Sequence, residues 1–522
     1  MWICRWSIYP RPRCARKLGH QDAEGLRQMS QRFNRRQIAA LLTGAAVAGP
    51  AWASAPQTSL RPKARPLLPA KSPTRAFFEK SGLKGELGCA AAALADGRLL
   101  TTENQTQGFA PASVAKAITA AYALYHLGAD YRFRTQLMIT GTLSEGVLDG
   151  DLILAGGGDP TLTTDRLAEL AKALKTAGVN QVNGRFFYHH GGFPTVHQID
   201  PDQPVHLGYN PSVAGLNLNF NRVFFEWTRQ GQAYDFKLEA RDLKFRPKVN
   251  TVQMTSERRG MEVFKYTQTP ELEAWSVARS ALGKGGGRWL PLRRPGACTA
   301  DVFHSLARYY KIDLPVPQEG SPEPSHRPLC YTDSAELSDI LVDMLKNSVN
   351  LTAEGLGRAA TRKAGGDAST LISSAQHMQE WAAQKLEMAD AHFVDHSGLG
   401  DRARIKALDM VRGLVAAQKL MPDFPSLLRQ IKPRDTRGNL DRKSKALIQA
   451  KTGTLHFVSA LAGYVTEGVD TPYAFAIFTQ NLDRRARLSI WQRESSKAAE
   501  YWNRRARYVQ YVLLARWSKR GL

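Results

Sequence analysis

Hydrophobic and polar positions divide this chain into stretches of different period. A run of small apolar residues from Cys89 to Leu94 meets Asp96-Gly97 and then Leu99-Leu100-Thr101. Two apolar runs about an Asp-Gly turn predict a hairpin. Pro111 follows, suited to a helix entry where a missing N–H costs nothing, and Ala117, Ile118, Ala120 and Ala121 predict a helix to about Leu127. Tyr131 to Leu137 alternates and leads through Leu152-Ile153-Leu154 into Gly156-Gly157-Gly158-Asp159-Pro160. That glycine run lacks the spacing and the Lys-Ser/Thr of a phosphate loop and reads as a tight strand-to-helix turn. An amphipathic helix is expected over Asp165 to Ala177 and a strand over Val179 to Tyr188 around Asn183-Gly184. Residues 213–290 alternate without long helices and read as β-rich, and Ala300 to Tyr310 is helical again.

Helical patterning returns over Ser334 to Lys346 and ends at Asn347-Ser348-Val349-Asn350. Amphipathic helices are expected at about 353–363, 370–388 and 406–419. Three neighbouring strands follow at Ala446 to Gly453, Phe457 to Thr466 and Tyr473 to Thr479, then a basic helix over 486–518. The economical architecture is mixed α/β (α+β). The first hairpin and the three late strands share one sheet beside the early helix, formed by 76–134 and 326–522. Residues 135–325 are an insertion carrying a small α/β unit and a β-rich subdomain at about 213–290.

Residues 1–55 stand apart. Arg35-Arg36 precedes an apolar run from Ile38 to Ala48 and then Ala51-Trp52-Ala53-Ser54-Ala55, the parts of an export signal at about 29–53. The run is too short to span a bilayer, and the arginine pair resembles the twin-arginine route. Export implies a periplasmic protein, with Met29 as the expected start. Residues 56–75 hold five prolines and five Lys/Arg and read as an extended basic linker.

The formal charge of +24 falls to about +17 without residues 1–55. A balance this basic fits an anionic partner. No zinc-ligand spacing, P-loop or RNA-binding run accompanies it, so the charge alone does not choose a partner and a solvated basic surface is the plainer reading; no metal and no nucleic-acid partner is expected, and whether the basic C-terminal helix meets a membrane is left open. After export, Cys89, Cys298 and Cys330 remain, too few for a disulfide scaffold; Cys298 and Cys330 either pair or stay as thiols.

Ser113 and Lys116 lie three apart at the start of the early helix and share a face. A buried lysine gives up its proton readily and can act as base toward the serine, while the helix N-terminus aims N–H groups at an oxyanion. The same pattern recurs at Ser81 and Lys84 in what reads as a loop, so the pair alone is a weak signal. Two further elements change this: Ser348-Val349-Asn350 and Lys451-Thr452-Gly453, in that order. Ser113 would attack a carbonyl with Lys116 as base. Ser348 and Asn350 would relay a proton and hold the substrate amide. Lys451 and Thr452 would dock a carboxylate, and Gly453 would let a substrate lie along the strand. Thr454 and Leu455 continue that strand as substrate-binding candidates.

This motif set resembles that of the serine β-lactamases and penicillin-binding proteins. From about residue 85 onward the chain resembles the three-domain, class C low-molecular-mass penicillin-binding proteins, which are D-alanyl-D-alanine carboxypeptidases and endopeptidases. The shared stretches include Phe109-x-Pro111-Ala112-Ser113, Gly128-x-x-Tyr131-Arg132-Phe133, Gly156 to Pro160, Asp395-x-Ser397-Gly398-Leu399 and Gly463-Tyr464. The resemblance implies a β-lactamase/transpeptidase-like domain, an antiparallel sheet flanked by helices with an all-α part. It implies cleavage of D-Ala-D-Ala bonds, or of D-amino acid cross-links, in peptidoglycan stem peptides through an acyl-enzyme on Ser113 that water releases, with no cofactor. It implies acylation by β-lactam antibiotics at the same serine, and oxyanion donors at the N–H groups of Ser113 and Leu455.

Two departures from the family pattern stand out. The middle motif carries Val349 where aspartate is common. Some relatives recognise the diaminopimelate amine with an aspartate near the segment matching His206 to Pro211, and no acidic residue lies there; Arg402 or Arg404 could instead meet a peptide carboxylate. A β-lactamase would share the three motifs, but the insertion and the lack of a Glu-x-x-Leu-Asn signature argue against it. A non-catalytic, basic cell-wall-binding protein would not be expected to keep all three.

Overall fold

A computed structural model describes residues 72–520, apart from 261 and 270. The expected leader and most of the linker lie outside the described residues. The linker's end is shorter than expected: Ser72 caps a helix at Pro73–Lys80, its hydroxyl accepting from Arg75 N at 3.0 Å, so 73–75 are helical rather than extended.

The central sheet has six antiparallel strands. From one edge it runs Gln430–Ile431, Leu447–Leu455, Val458–Glu467, Tyr473–Gln480, Glu86–Ala93 and Leu99–Glu103. The predicted hairpin is its far edge, with Gly97 at φ +75° and Asp96 accepting from Arg98 N. Small residues on Glu86–Ala93 leave room for the layers on either face. Gly88 admits the Phe109 ring, which a Cβ there would meet at 2.2 Å. One face packs on Ala407–Leu420 and, deeper, on Ala115–Leu127, a helix whose first nine residues are all buried. The other face is covered by the C-terminal helix Lys497–Arg520 through Trp502, Val509, Leu513 and Trp517.

The inserted part has its own core. A five-stranded sheet there pairs Arg134–Ile139 with Arg327–Asp333, so the chain enters and leaves through neighbouring strands, and the returning strand lies beyond the division expected at 325. Two three-stranded sheets over 222–291 make up the β-rich part. The strand expected over Val179 to Tyr188 is two strands, Gln181–Val182 and Phe186–His189, in different sheets. The turn between them packs Gly184 so closely on the Gly150 carbonyl that a Cβ would lie 2.3 Å away.

The basic helix expected over 486–518 is also divided. A short helix, Leu482–Ala486, and a single turn at Trp491–Arg493 precede Lys497–Arg520, where Ser496 accepts from Ala499 N and restarts the helix. Cys298 and Cys330 are free thiols, as is Cys89.

Candidate active site

Three segments far apart in sequence meet at the N-terminal end of the buried helix. Ser113 lies in a single 3-10 turn, Ala112–Val114, that runs directly into Ala115–Leu127. Ala112 takes φ +46°, an uncommon conformation for a residue with a side chain, and this turns the serine toward the cleft. Ser348 ends Leu337–Asn347 in the left-handed conformation, and Asn350 opens Asn350–Lys363. The expected inter-helix loop is therefore a sharp two-residue corner. Lys451, Thr452 and Gly453 lie on Leu447–Leu455.

Lys116 is fully buried at their centre. Its Nζ lies 3.0 Å from Ser113 Oγ, 2.7 Å from Asn350 Oδ1 and 2.6 Å from the Ser397 carbonyl. Burial pushes its pKa down from 10.5 to about 8, against the pull of the Asp395 and Glu354 carboxylates. Lys451 Nζ donates to Ser348 Oγ at 3.0 Å and to the Thr452 carbonyl at 2.8 Å. Burial holds its pKa well below the usual lysine value, with the Lys116 charge adding to the effect.

Strand geometry assigns the remaining strand residues. Leu455 pairs with Val458 across a turn of only His456 and Phe457, so Leu455 must exchange both backbone hydrogen bonds with Val458. Alternation then turns the N–H and C=O of Thr452 and Thr454 to the opposite edge, the same side to which Ala450 N donates to the Arg429 carbonyl. The partner strand there is only Gln430–Ile431, so among the described residues that edge has no ladder partner from Lys451 onward. The N–H facing the cleft is thus that of Thr454, and the expected oxyanion role of Leu455 is corrected; Leu455 O instead accepts from Asn503 Nδ2 on the back of the sheet. Gly453 has a further reason to be glycine, because a Cβ would lie 2.7 Å from the Pro111 carbonyl and 3.1 Å from Ser113 N.

Several contributors have no strong signature in sequence. Glu354, fully buried one turn after Asn350, accepts from Ser397 N at 2.8 Å and His396 N at 3.1 Å, and so fixes the peptide whose carbonyl holds Lys116. Asp395 accepts from Gly398 N and Gly400 N, each at 2.6 Å. Gly398 has φ +72° and presses on the Ala112 carbonyl, which a Cβ would meet at 1.9 Å. The Asn350–Glu354 spacing of one helical turn is the one cue that could have marked the glutamate.

The insertion reaches the site through a main-chain group. Asn350 Nδ2 donates to the Tyr209 carbonyl at 2.9 Å, and that loop is held from behind by Arg293, whose guanidinium donates to the carbonyls of His197, Val205 and Asn210. An acidic group does reach the stretch matching His206 to Pro211: Glu494, from the C-terminal region, lies 2.9 Å from His206 Nε2. Arg402 is exposed and is not drawn into the cluster around Lys116, while Arg404 turns back onto the carbonyls of Asp401 and Ala403.

A hydroxyl bonded to a buried amine of lowered pKa, beside a second buried amine and an open strand edge, has the parts of a serine-type hydrolase site. Comparison with known proteins agrees. Residues 76–500 match the model of the D-Ala-D-Ala carboxypeptidase 3 (S13) family. A D-alanyl-D-alanine carboxypeptidase of Actinomadura sp. (strain R39) is 26% identical over 460 residues, covering 82% of this chain and 84% of the relative. The crystal structure of penicillin binding protein 4 (dacB) from Haemophilus influenzae superposes with a TM-score of 0.64 at 20% identity, covering 82% of this chain and 99% of that one, and so shares the fold. The chain belongs to the D-Ala-D-Ala carboxypeptidase 3 (S13) family and is a serine carboxypeptidase hydrolase.

Proposed function

We propose that this enzyme cleaves the terminal D-Ala-D-Ala bond of peptidoglycan stem peptides through an acyl-enzyme on Ser113. The observation that carries the reading is the set of three contacts around Lys116. Asn350 Oδ1 and the Ser397 carbonyl hold two amine hydrogens, so loss of the third aims the lone pair at the Ser113 hydroxyl. Ser113 Oγ then attacks the penultimate carbonyl as its proton passes to Lys116. The N–H groups of Ser113 and Thr454 receive the oxyanion. The C–N bond breaks with a proton passing to the leaving amine through Ser348, and D-Ala departs. Water then attacks the ester and returns Ser113 to its starting state.

Lys451 and Thr452 dock the terminal carboxylate, whose negative charge favours the protonated form of Lys451. The open edge at Thr452 and Thr454 accepts the peptide as an added strand. Asn350 holds the substrate amide as well as Lys116. Cross-link hydrolysis uses the same machinery when the leaving amine belongs to a neighbouring stem peptide. Penicillins acylate the same serine, a reading supported by the Haemophilus influenzae relative crystallised with a β-lactam. The export-signal pattern at about 29–53 supports a periplasmic location.

The test is D-Ala release from a muropeptide pentapeptide by the wild type and by Ser113→Ala. Release by the wild type alone is expected; equal release by the variant would overturn the assignment. The same samples given a cross-linked dimer report the endopeptidase activity.

A further inference from the structure

Between the loop 432–446 and the C-terminal helix lies a groove of about 460 Å³. Lys432, Arg434, Lys443, Lys445 and Lys519 line it, over an apolar floor that includes Ile448 and Leu514. The stretch 432–445 carries six Lys/Arg against two carboxylates. Both carboxylates are engaged locally: Asp435 accepts from Arg437 N and Asn439 N, and Asp441 lies 3.2 Å from Lys519 Nζ.

The loop is held against the helix. Arg434 donates to the Gly438 carbonyl at 2.8 Å and lies 5.0 Å over the Tyr511 ring, and Gly438 packs on Tyr508 so tightly that a Cβ would stand 2.5 Å from the ring. The groove is thus preformed rather than a set of waving side chains. Beside it Leu440 is 51% and Tyr508 46% exposed. Such apolar and aromatic tips fit the headgroup layer of a bilayer, where tyrosine and short apolar insertions are favoured. No helix among the described residues is long and apolar enough to cross a membrane.

We propose that this groove and its rim form a docking site for a phosphate-bearing anionic lipid surface. The groove sits at the Ala446–Ile448 end of the strand whose other end carries Lys451 to Leu455. Docking would therefore hold the cleft at a set distance from the membrane. The proposal does not depend on the reaction assigned to the cleft.

The test is co-sedimentation of the full chain with vesicles of phosphatidylcholine alone or with about a third phosphatidylglycerol. The groove variant carries Lys432→Glu, Lys443→Glu and Lys445→Glu, all at exposed side chains. A charge-matched control carries Lys172→Glu, Lys265→Glu and Lys284→Glu, exposed positions in the insertion. Each near-surface cation contributes about fivefold to partition onto an anionic membrane. The groove variant should lose at least about thirtyfold and the control less than about threefold, with thermal melts confirming that both are folded. Residues 1–71 are common to all three proteins and cancel in the comparison. Equal losses in the two variants would overturn the proposal, as would equal wild-type binding to both vesicle types. Release of the wild type by millimolar glycerol phosphate at fixed ionic strength would also overturn it, by showing a discrete phosphate site instead of a surface.

Discussion

The proposed mechanism needs Lys116 as a free amine, and pH tests this without mutation. The side chain is fully buried, and desolvation brings its pKa from 10.5 to about 8. At pH 7 a pKa of about 8 leaves roughly a tenth of the amine as free base, and at pH 6 roughly a hundredth. An unperturbed lysine would supply on the order of one molecule in three thousand at pH 7, so burial raises the competent population several hundredfold. The acylation rate with a chromogenic β-lactam, or kcat/KM for D-Ala release, should climb about tenfold per pH unit from 6 and level off near 8. Asp395 is the stronger of the two charges that hold the amine protonated, so Asp395→Asn should move this limb to lower pH. A flat profile, a limb centred at the ordinary imidazole value, or a shift to higher pH in Asp395→Asn would refute the role given to Lys116.

Two substitutions probe the other side of the cleft. Lys451→Ala removes the cation beside Ser348 and should cost at least about a hundredfold in kcat/KM for a substrate with a free terminal carboxylate; near-normal turnover would contradict its anchoring role. Thr454→Pro deletes an N–H that faces the open edge and so sacrifices no ladder bond. It should lower acylation by about a hundredfold or more while the melting temperature stays close to wild type, and an unchanged acylation rate would return the oxyanion role to another donor.

How much of this was legible in the sequence follows from how local each feature is. The buried helix, the Ser-Val-Asn corner and the Lys-Thr-Gly strand carry their signals within a few residues, and each lies where its pattern places it. The N–H that faces the cleft lies at Thr454, one position before the expected Leu455, because strand parity is set by the His456-Phe457 turn. That turn lacks the Asn-Gly or Asp-Gly pair that announces a two-residue hairpin, and Phe457 takes φ +56° instead. The Tyr209 carbonyl could not be found at all, since a main-chain group carries no residue signature and its partner Asn350 is 141 positions away. Glu354 reads in sequence as one more charge on an amphipathic helix; only the packing of the Asp395 to Gly400 turn against it shows two backbone N–H groups converging on its carboxylate. The C-terminal helix is shorter than the basic run through 484–497 suggests, because Ser496 caps a new start at Lys497.

The central claim is that one hydroxyl, at Ser113, is the reacting atom. Treating the protein with benzylpenicillin, quenching with acid and mapping the adduct by mass spectrometry addresses it directly. A single acyl adduct is expected on the peptide containing Ser113, absent from Ser113→Ala. An adduct on any other residue, or one that persists in that variant, would contradict it.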